Sequence, residues 1–182
     1  MVKLILSLII ALAIVIFSTS YSTGVAASPY GAGTYSADVP YGGQTQLTIS
    51  TSGNVGLNVT PSDSGTVASA SGTVTVISTD VVGYKLYVRS ISSSSMVNGA
   101  VTIPASVNSS PAILAVNTWG YSLTGGGTYT GMTLSDVLIR SATQPYTSGD
   151  VTTVTYGVNV NNAKNAGSYT NSVIYTAVPQ TN

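Results

Sequence analysis

The sequence predicts an all-β fold, an antiparallel β-sandwich of about eight or nine strands. Three observations carry that prediction. Thr and Val are, with Ser and Gly, the commonest residues beyond the first 27, and Tyr is frequent; Val, Thr and Tyr suit a pleated, half-buried surface. Apolar and polar positions alternate in short runs, the period of a strand with one buried face. Clusters of Gly, Ser, Asn and Pro interrupt the runs every ~8–12 residues, the turn spacing of a sandwich. Long Ala, Leu, Glu or Lys runs with a helical period are missing.

The chain opens with a targeting pattern. Lys3 is the only charge ahead of an apolar run over 4–17, broken by Ser7 alone. The run is shorter than the ~20 apolar residues that span a bilayer. A polar stretch follows, then Val25-Ala26-Ala27, with small residues where a signal peptidase needs them. Residues 1–27 therefore read as a signal-peptide helix removed before Ser28. The alternative is a retained N-terminal anchor with the polar stretch as a tether. No later run approaches spanning length, so the membrane enters only during export or through a retained N-terminal segment.

Residues 28–43 are rich in Gly, Pro and Tyr, without sustained alternation, and form a leader or edge strand. The sandwich domain covers 44–182. Leu47 and Ile49 share a face, as do Val55, Leu57 and Val59 after the Ser52-Gly53-Asn54 turn. The composition of Pro61-Ser62-Asp63-Ser64-Gly65 is that of a turn. Val74 and Val76 mark a strand over 73–78. Leu86 and Val88 point inward, opposite Lys85, Tyr87 and Arg89. A loop over 92–95 and the Asn98-Gly99 pair precede a short strand over 101–103 that ends at Pro104. Trp119, Tyr121 and Leu123 share one face of the next strand and read as core. Gly125 to Gly127 is a break. Residues 133–139 carry Leu134, Val137 and Leu138 at i, i+3 and i+4, the spacing of a helical turn. A loop over 144–149 leads to a closing hairpin, with Val154, Tyr156, Val158 and Val160 on one arm and Tyr169, Val173 and Tyr175 on the other.

Function classes fall away by composition. The chain has no His, no Cys and no Glu, and five Asp. General acid–base work most often uses His or paired carboxylates, and a nucleophile needs an adjacent base. Transition-metal sites need His, Cys or clustered carboxylates. Asp38, Asp63, Asp80, Asp136 and Asp150 are scattered, unlike the close oxygen ligands of a calcium loop. Asp63 and Asp150 both sit in expected loops and would have to meet across the fold to form a glycosidase-type pair. No catalytic residue, metal ligand or cofactor site is predicted. Lys85 and Lys164 read as solvated lysines, with a Lys–Asn crosslink as the sharper alternative. Asn58-Val59-Thr60 and Asn108-Ser109-Ser110 match the glycosylation sequon.

Charged residues make up 5% of the chain, against about 25% in typical globular proteins. Beyond residue 27, Lys85, Arg89, Arg140 and Lys164 face the five Asp, which argues against nucleic-acid binding. Such a surface lacks the usual repulsion against self-association. Without Cys there are no disulfide staples, so the exported domain relies on its core.

Four segments carry a resemblance. They are Gly83-Tyr84-Lys85-Leu86-Tyr87, then Asn117-Thr118-Trp119-Gly120-Tyr121-Ser122, then Thr152-Thr153-Val154-Thr155-Tyr156-Gly157-Val158-Asn159-Val160, and finally Ala166-Gly167-Ser168-Tyr169-Thr170-Asn171 with Tyr175-Thr176-Ala177. In this order, over roughly 47–178, the chain resembles an uncharacterised family of secreted β-sandwich surface proteins of small-genome, host-attached bacteria. The resemblance implies export and an Ig-like fold, and no catalytic residues. The closing strand also looks like that of secreted fibre-forming matrix subunits, a likeness of fold alone.

The expected function is that of an exported, non-enzymatic cell-surface or extracellular protein with a structural or adhesive role. Its partner would be a second copy, a cell-surface protein or a glycan, bound at strand edges and Tyr-bearing loops. Tyr30, Tyr35 and Tyr41 in the leader are the candidate partner-binding residues, since a Tyr ring stacks while its hydroxyl stays wet. The alternative function is a carbohydrate-binding module.

Overall fold

The computed structural model describes residues 8–14 and 46–180. Within them lie eleven strands: β1 (Leu8–Ile14), β2 (Gln46–Thr51), β3 (Val55–Val59), β4 (Thr66–Thr79), β5 (Gly83–Ser90), β6 (Met96–Asn98), β7 (Val101–Ile103), β8 (Thr118–Ser122), β9 (Val137–Ala142), β10 (Tyr146–Val160) and β11 (Asn171–Gln180). The described residues contain no helix. One sheet has the order β3-β1-β11-β5-β9, the second β2-β4-β10-β8, and β6 pairs with β7. The fold is all-β and sandwich-like, as the alternation predicts.

The alternating positions meet between the two sheets. Val55, Leu57 and Val59 of β3, Leu86 and Val88 of β5, and Val173 and Tyr175 of β11 are buried. They face Val74 and Val76 of β4 and Val154, Tyr156, Val158 and Val160 of β10, which are buried too. Each large apolar side chain so buried contributes roughly 1.5–3 kcal/mol, so the core can stand without a staple. Met96 of β6 and Ile103 of β7 join the same cluster. The small hairpin turns at Gly99, whose φ of 58° suits a residue without Cβ.

The second sheet is built on one long ladder. β4 and β10 pair antiparallel from Thr66↔Val160 to Ser78↔Tyr146, with a shift between Tyr146 and Asp150. Gly149 adopts φ 94° at that shift, where two extra residues on β10 bend the strand. The expected loop over 144–149 is thus the bulged start of β10. β4 also runs further than the expected 73–78. Its first half, Thr-Val-Ala-Ser-Ala-Ser-Gly, alternates too weakly in size to announce itself, yet Ala68 and Ala70 pack on the core.

Four further expectations are corrected. The helical turn over 133–139 is absent: Val137 and Ile139 pack inward while Leu138 and Arg140 lie outside, as β9 pairs with β5. Three apolar residues at i, i+3 and i+4 also fit a strand entered from a loop, and here the ladder decides. The closing hairpin is absent as well. β10 pairs with β4 and β8, whereas β11 pairs with β5 and β1. The segment between them crosses from one sheet to the other, so their alternating faces oppose each other through the core. Leu123 lies just past β8 and is 43% exposed, unlike Trp119 and Tyr121. Finally, Leu8–Ile14, inside the expected signal-peptide helix, is extended: antiparallel to β3 and parallel to β11. An apolar run must satisfy its backbone internally or in a ladder, and here two neighbouring strands supply the ladder.

Candidate interaction surfaces

Tyr30, Tyr35 and Tyr41 lie outside the described residues. Of the other tyrosines, Tyr84, Tyr121, Tyr129, Tyr156, Tyr169 and Tyr175 are buried, as is Trp119. Tyr87 and Tyr146 are half-buried. The indole of Trp119 donates to the Ser94 carbonyl at 2.9 Å and lies 6.5 Å from the Tyr156 ring. The residue is a core anchor that ties β8 to the loop before β6.

Strand edges differ in how they are closed. β8 is covered. Its outer edge exchanges backbone bonds with Thr130 at Tyr121, and Trp119 accepts from Ser106 N–H and donates to the Pro104 carbonyl. Gly120 sits beneath the Thr130 carbonyl, where a Cβ would collide with backbone. β9 is blunted by the shift at Leu86/Tyr87 and by Arg140. Among the described residues, β2 carries none of these devices. Its sequence, Gln-Leu-Thr-Ile-Ser-Thr, has no charge and no Pro, and every second residue is exposed. Natural edges are usually protected by Lys, Pro, a bulge or a cover.

A second surface lies in the segment joining β7 to β8. Val107 and Ile113 are 96% and 79% exposed. The backbone that carries them is fixed from beneath. Asn108 Nδ2 donates to the carbonyls of Ala112, Ile113 and Tyr129 at 3.2–3.3 Å, and Asn159 Nδ2 donates to that of Leu114 at 2.9 Å. Asn108 is thereby engaged by its own fold, whereas Asn58, the other sequon residue, is exposed. Asn117 closes the segment in a left-handed turn, φ 63°, and its side chain bonds Asn161 on both its amide oxygen and its amide nitrogen.

The described acidic residues do not gather. Asp63 accepts from Asn162 just beyond the end of β10, and Asp150 lies near its start. Ten strand residues, at ~3.3 Å each, hold them roughly 30 Å apart, well beyond a carboxylate pair. Asp136 pairs with Arg89 at 3.3 Å. Lys164 Nζ donates to the Thr102 carbonyl at 2.8 Å, tying the β10–β11 crossing to β7.

Asp150 is the centre of a polar node. Its Oδ2 accepts from Tyr84 Oη at 2.6 Å and from Arg140 Nε at 2.8 Å, so it links β10 to β5 and β9. Burial, and secondarily the Asp150 carboxylate, push the Tyr84 phenol well above its ordinary value. The hydrogen bond to Asp150 raises the Arg140 guanidinium further. Deeper in, the hydroxyls of Tyr156 and Tyr175 contact each other. Burial drives both phenols up, that of Tyr175 to about 12.

A hollow of about 200 Å³ lies beside the start of β11, lined by Ser92, Ser93, Ser95, Val97, Thr170, Asn171 and Ser172. Asn171 spends its polar atoms there on its own chain. Nδ2 donates to the carbonyls of Ser93 and Ser95, and Oδ1 accepts from Ser90 Oγ. The hollow is a structural clasp for the loop before β6.

Compared with family models, curated proteins and solved structures, the chain matches none.

Proposed function

We propose that the protein is an exported, non-enzymatic structural or adhesive protein of the cell surface or extracellular space, an Ig-like sandwich that acts by association at strand edges. The observation that carries this reading is β2. An uncharged, unbulged edge strand with alternate residues exposed is a template for another strand. The low charge of the whole chain removes the repulsion that would keep copies apart. The fixed apolar tips Val107 and Ile113 add a second place for a protein surface to dock, since an exposed apolar patch on a rigid support favours contact over solvation. The signal-like N-terminus supports export.

Electron microscopy and size measurement of residues 28–182 test the reading. Oligomers or filaments are expected. Thr48→Lys with Ser50→Lys, both exposed positions on β2, should weaken lateral association between them by placing like charges along the edge. A protein that stays monomeric at every concentration, and whose surface retention is unchanged by these substitutions, would overturn it. A glycan array separates this reading from a carbohydrate-binding module.

A further inference from the structure

The two large sheets end in β3 and β9 on one side of the core and in β2 and β8 on the other. β8 is covered, β9 is blunted and β2 is open among the described residues. β3 has no charge and no Pro in its sequence, Val-Gly-Leu-Asn-Val, and its ladder to β1 runs without a shift. By composition it is as ready a template for another strand as β2. One outward residue sets it apart. Val55, Leu57 and Val59 are buried, while Gly56 and Asn58 are exposed. Asn is depleted in strands, yet Asn58 stands in this one, and Thr60, two residues on, is exposed as well. Asn58-Val59-Thr60 thus presents a complete sequon on the outer side of an edge strand.

The second sequon is presented differently. Asn108 Nδ2 donates to the carbonyls of Ala112, Ile113 and Tyr129. An amide nitrogen has two hydrogens, and here both serve the chain's own backbone. A sugar on that nitrogen would stand where the carbonyls stand, and the support of Val107 and Ile113 would go with it. No hydrogen bond engages the Asn58 side chain among the described residues. Its amide can therefore be modified without cost to the fold.

We propose that Asn58 is an N-glycan acceptor, that Asn108 is not, and that the sugar shields the β3 edge so that association falls to β2. The acceptor site rests on the export argued above, and the shielding rests also on self-association. The donor is an oligosaccharide on a polyprenyl diphosphate, presented by a transferase. Asn58 Nδ2 bonds to the anomeric carbon of the first sugar and loses one proton to a base of the transferase. The bond from that carbon to the diphosphate breaks, and the lipid diphosphate leaves with its electron pair. The attached glycan is bulky and solvating. From the outer side of β3 it overhangs the backbone that another strand would have to approach. It also supplies hydrophilic surface to a chain with 5% charged residues, where charge does little for solubility.

Peptide mapping by mass spectrometry, on protein recovered from the cells that make it, tests the site. The peptide bearing Asn58 should carry the mass of an oligosaccharide and release sugar fragments, and the peptide bearing Asn108 should be bare. Thr60→Ala, which breaks the sequon and keeps Asn58, should lose the whole added mass, as should Asn58→Gln. Ser110→Ala should lose none. Both unglycosylated variants should form larger lateral assemblies than the wild type by electron microscopy and size measurement. Thr48→Lys with Ser50→Lys should not abolish that excess, because it arises at β3. A bare Asn58, or a sugar on Asn108, overturns the proposal while self-association stands. Equal assembly with and without the sugar overturns the shielding. A protein that is monomeric in both forms overturns self-association and the shielding with it, and leaves the peptide map to decide the acceptor site.

Discussion

The hydroxyls of Tyr156 on β10 and Tyr175 on β11 meet inside the core, so two strands of opposite sheets share one buried polar contact. Replacing either Tyr by Phe leaves the other hydroxyl buried and unpaired, a loss of about 1–3 kcal/mol. Replacing both removes the need together with the bond. Chemical denaturation of Tyr156→Phe, Tyr175→Phe and the double variant should show a double change well below the sum of the singles. Strict additivity would mean that the contact contributes nothing.

The same burial sets an alkaline limit. An unfolded Tyr ionises near 10, while folded Tyr175 is held up to about 12 and Tyr156 is raised as well. A raised folded value means that the native state keeps protons the unfolded state has released. The stabilisation is therefore fully present below pH ~10 and is lost as pH climbs through ~12. For Tyr175, held up from 10 to about 12, this corresponds to roughly 2–3 kcal/mol. Melting temperature followed against pH should be level through neutrality with respect to these groups and fall steeply between pH ~10 and ~12. The part of the phenolate absorbance that Tyr175→Phe removes should rise with unfolding rather than before it.

Asp150 holds Tyr84 and Arg140 at a single oxygen. Asp150→Ala should cost about 2–4 kcal/mol, because it strands a buried phenol and a guanidinium together. Arg140→Ala should cost less, about 0.5–1 kcal/mol, since that side chain is 42% exposed and solvent screens it. Equal losses in urea denaturation would contradict the central place given to Asp150.

Gly157 lies under the ring of Tyr129, and a Cβ there would overlap it. Gly157→Ala should displace Tyr129 and loosen the cover over β8, at about 1–3 kcal/mol. Faster proteolysis within residues 124–131 would report it. Gly120→Ala, which would strike the Thr130 backbone, should be the more damaging of the two.

Much of the architecture is legible in the chain because alternation is a local signal. Val55, Leu57 and Val59, Leu86 and Val88, and the β10 series are inward-facing as their spacing requires. Which strands lie side by side is not local. Nothing in residues 152–176 distinguishes a hairpin from two strands facing each other across a core, because both need the same alternating faces. The helical spacing of Leu134, Val137 and Leu138 misleads for a related reason: only two of the three positions lie in a strand. The cover over β8 is a matter of backbone bonds from Ser106 and Thr130, which leave no mark in side-chain pattern. Asn108 and Asn171 are ordinary loop residues by sequence, and only the fold shows each amide holding several carbonyls at once.

The β4–β10 ladder, flanked by β2 on one side and β8 on the other, also has a mechanical meaning. Its bonds lie across the strand axis, so tension drawn lengthwise through the sandwich loads many of them simultaneously, in shear. Tension drawn sideways reaches them one after another, beginning at β2. A body built this way resists stretching along its strands and yields to peeling, which is the anisotropy expected of a thread rather than of a plug.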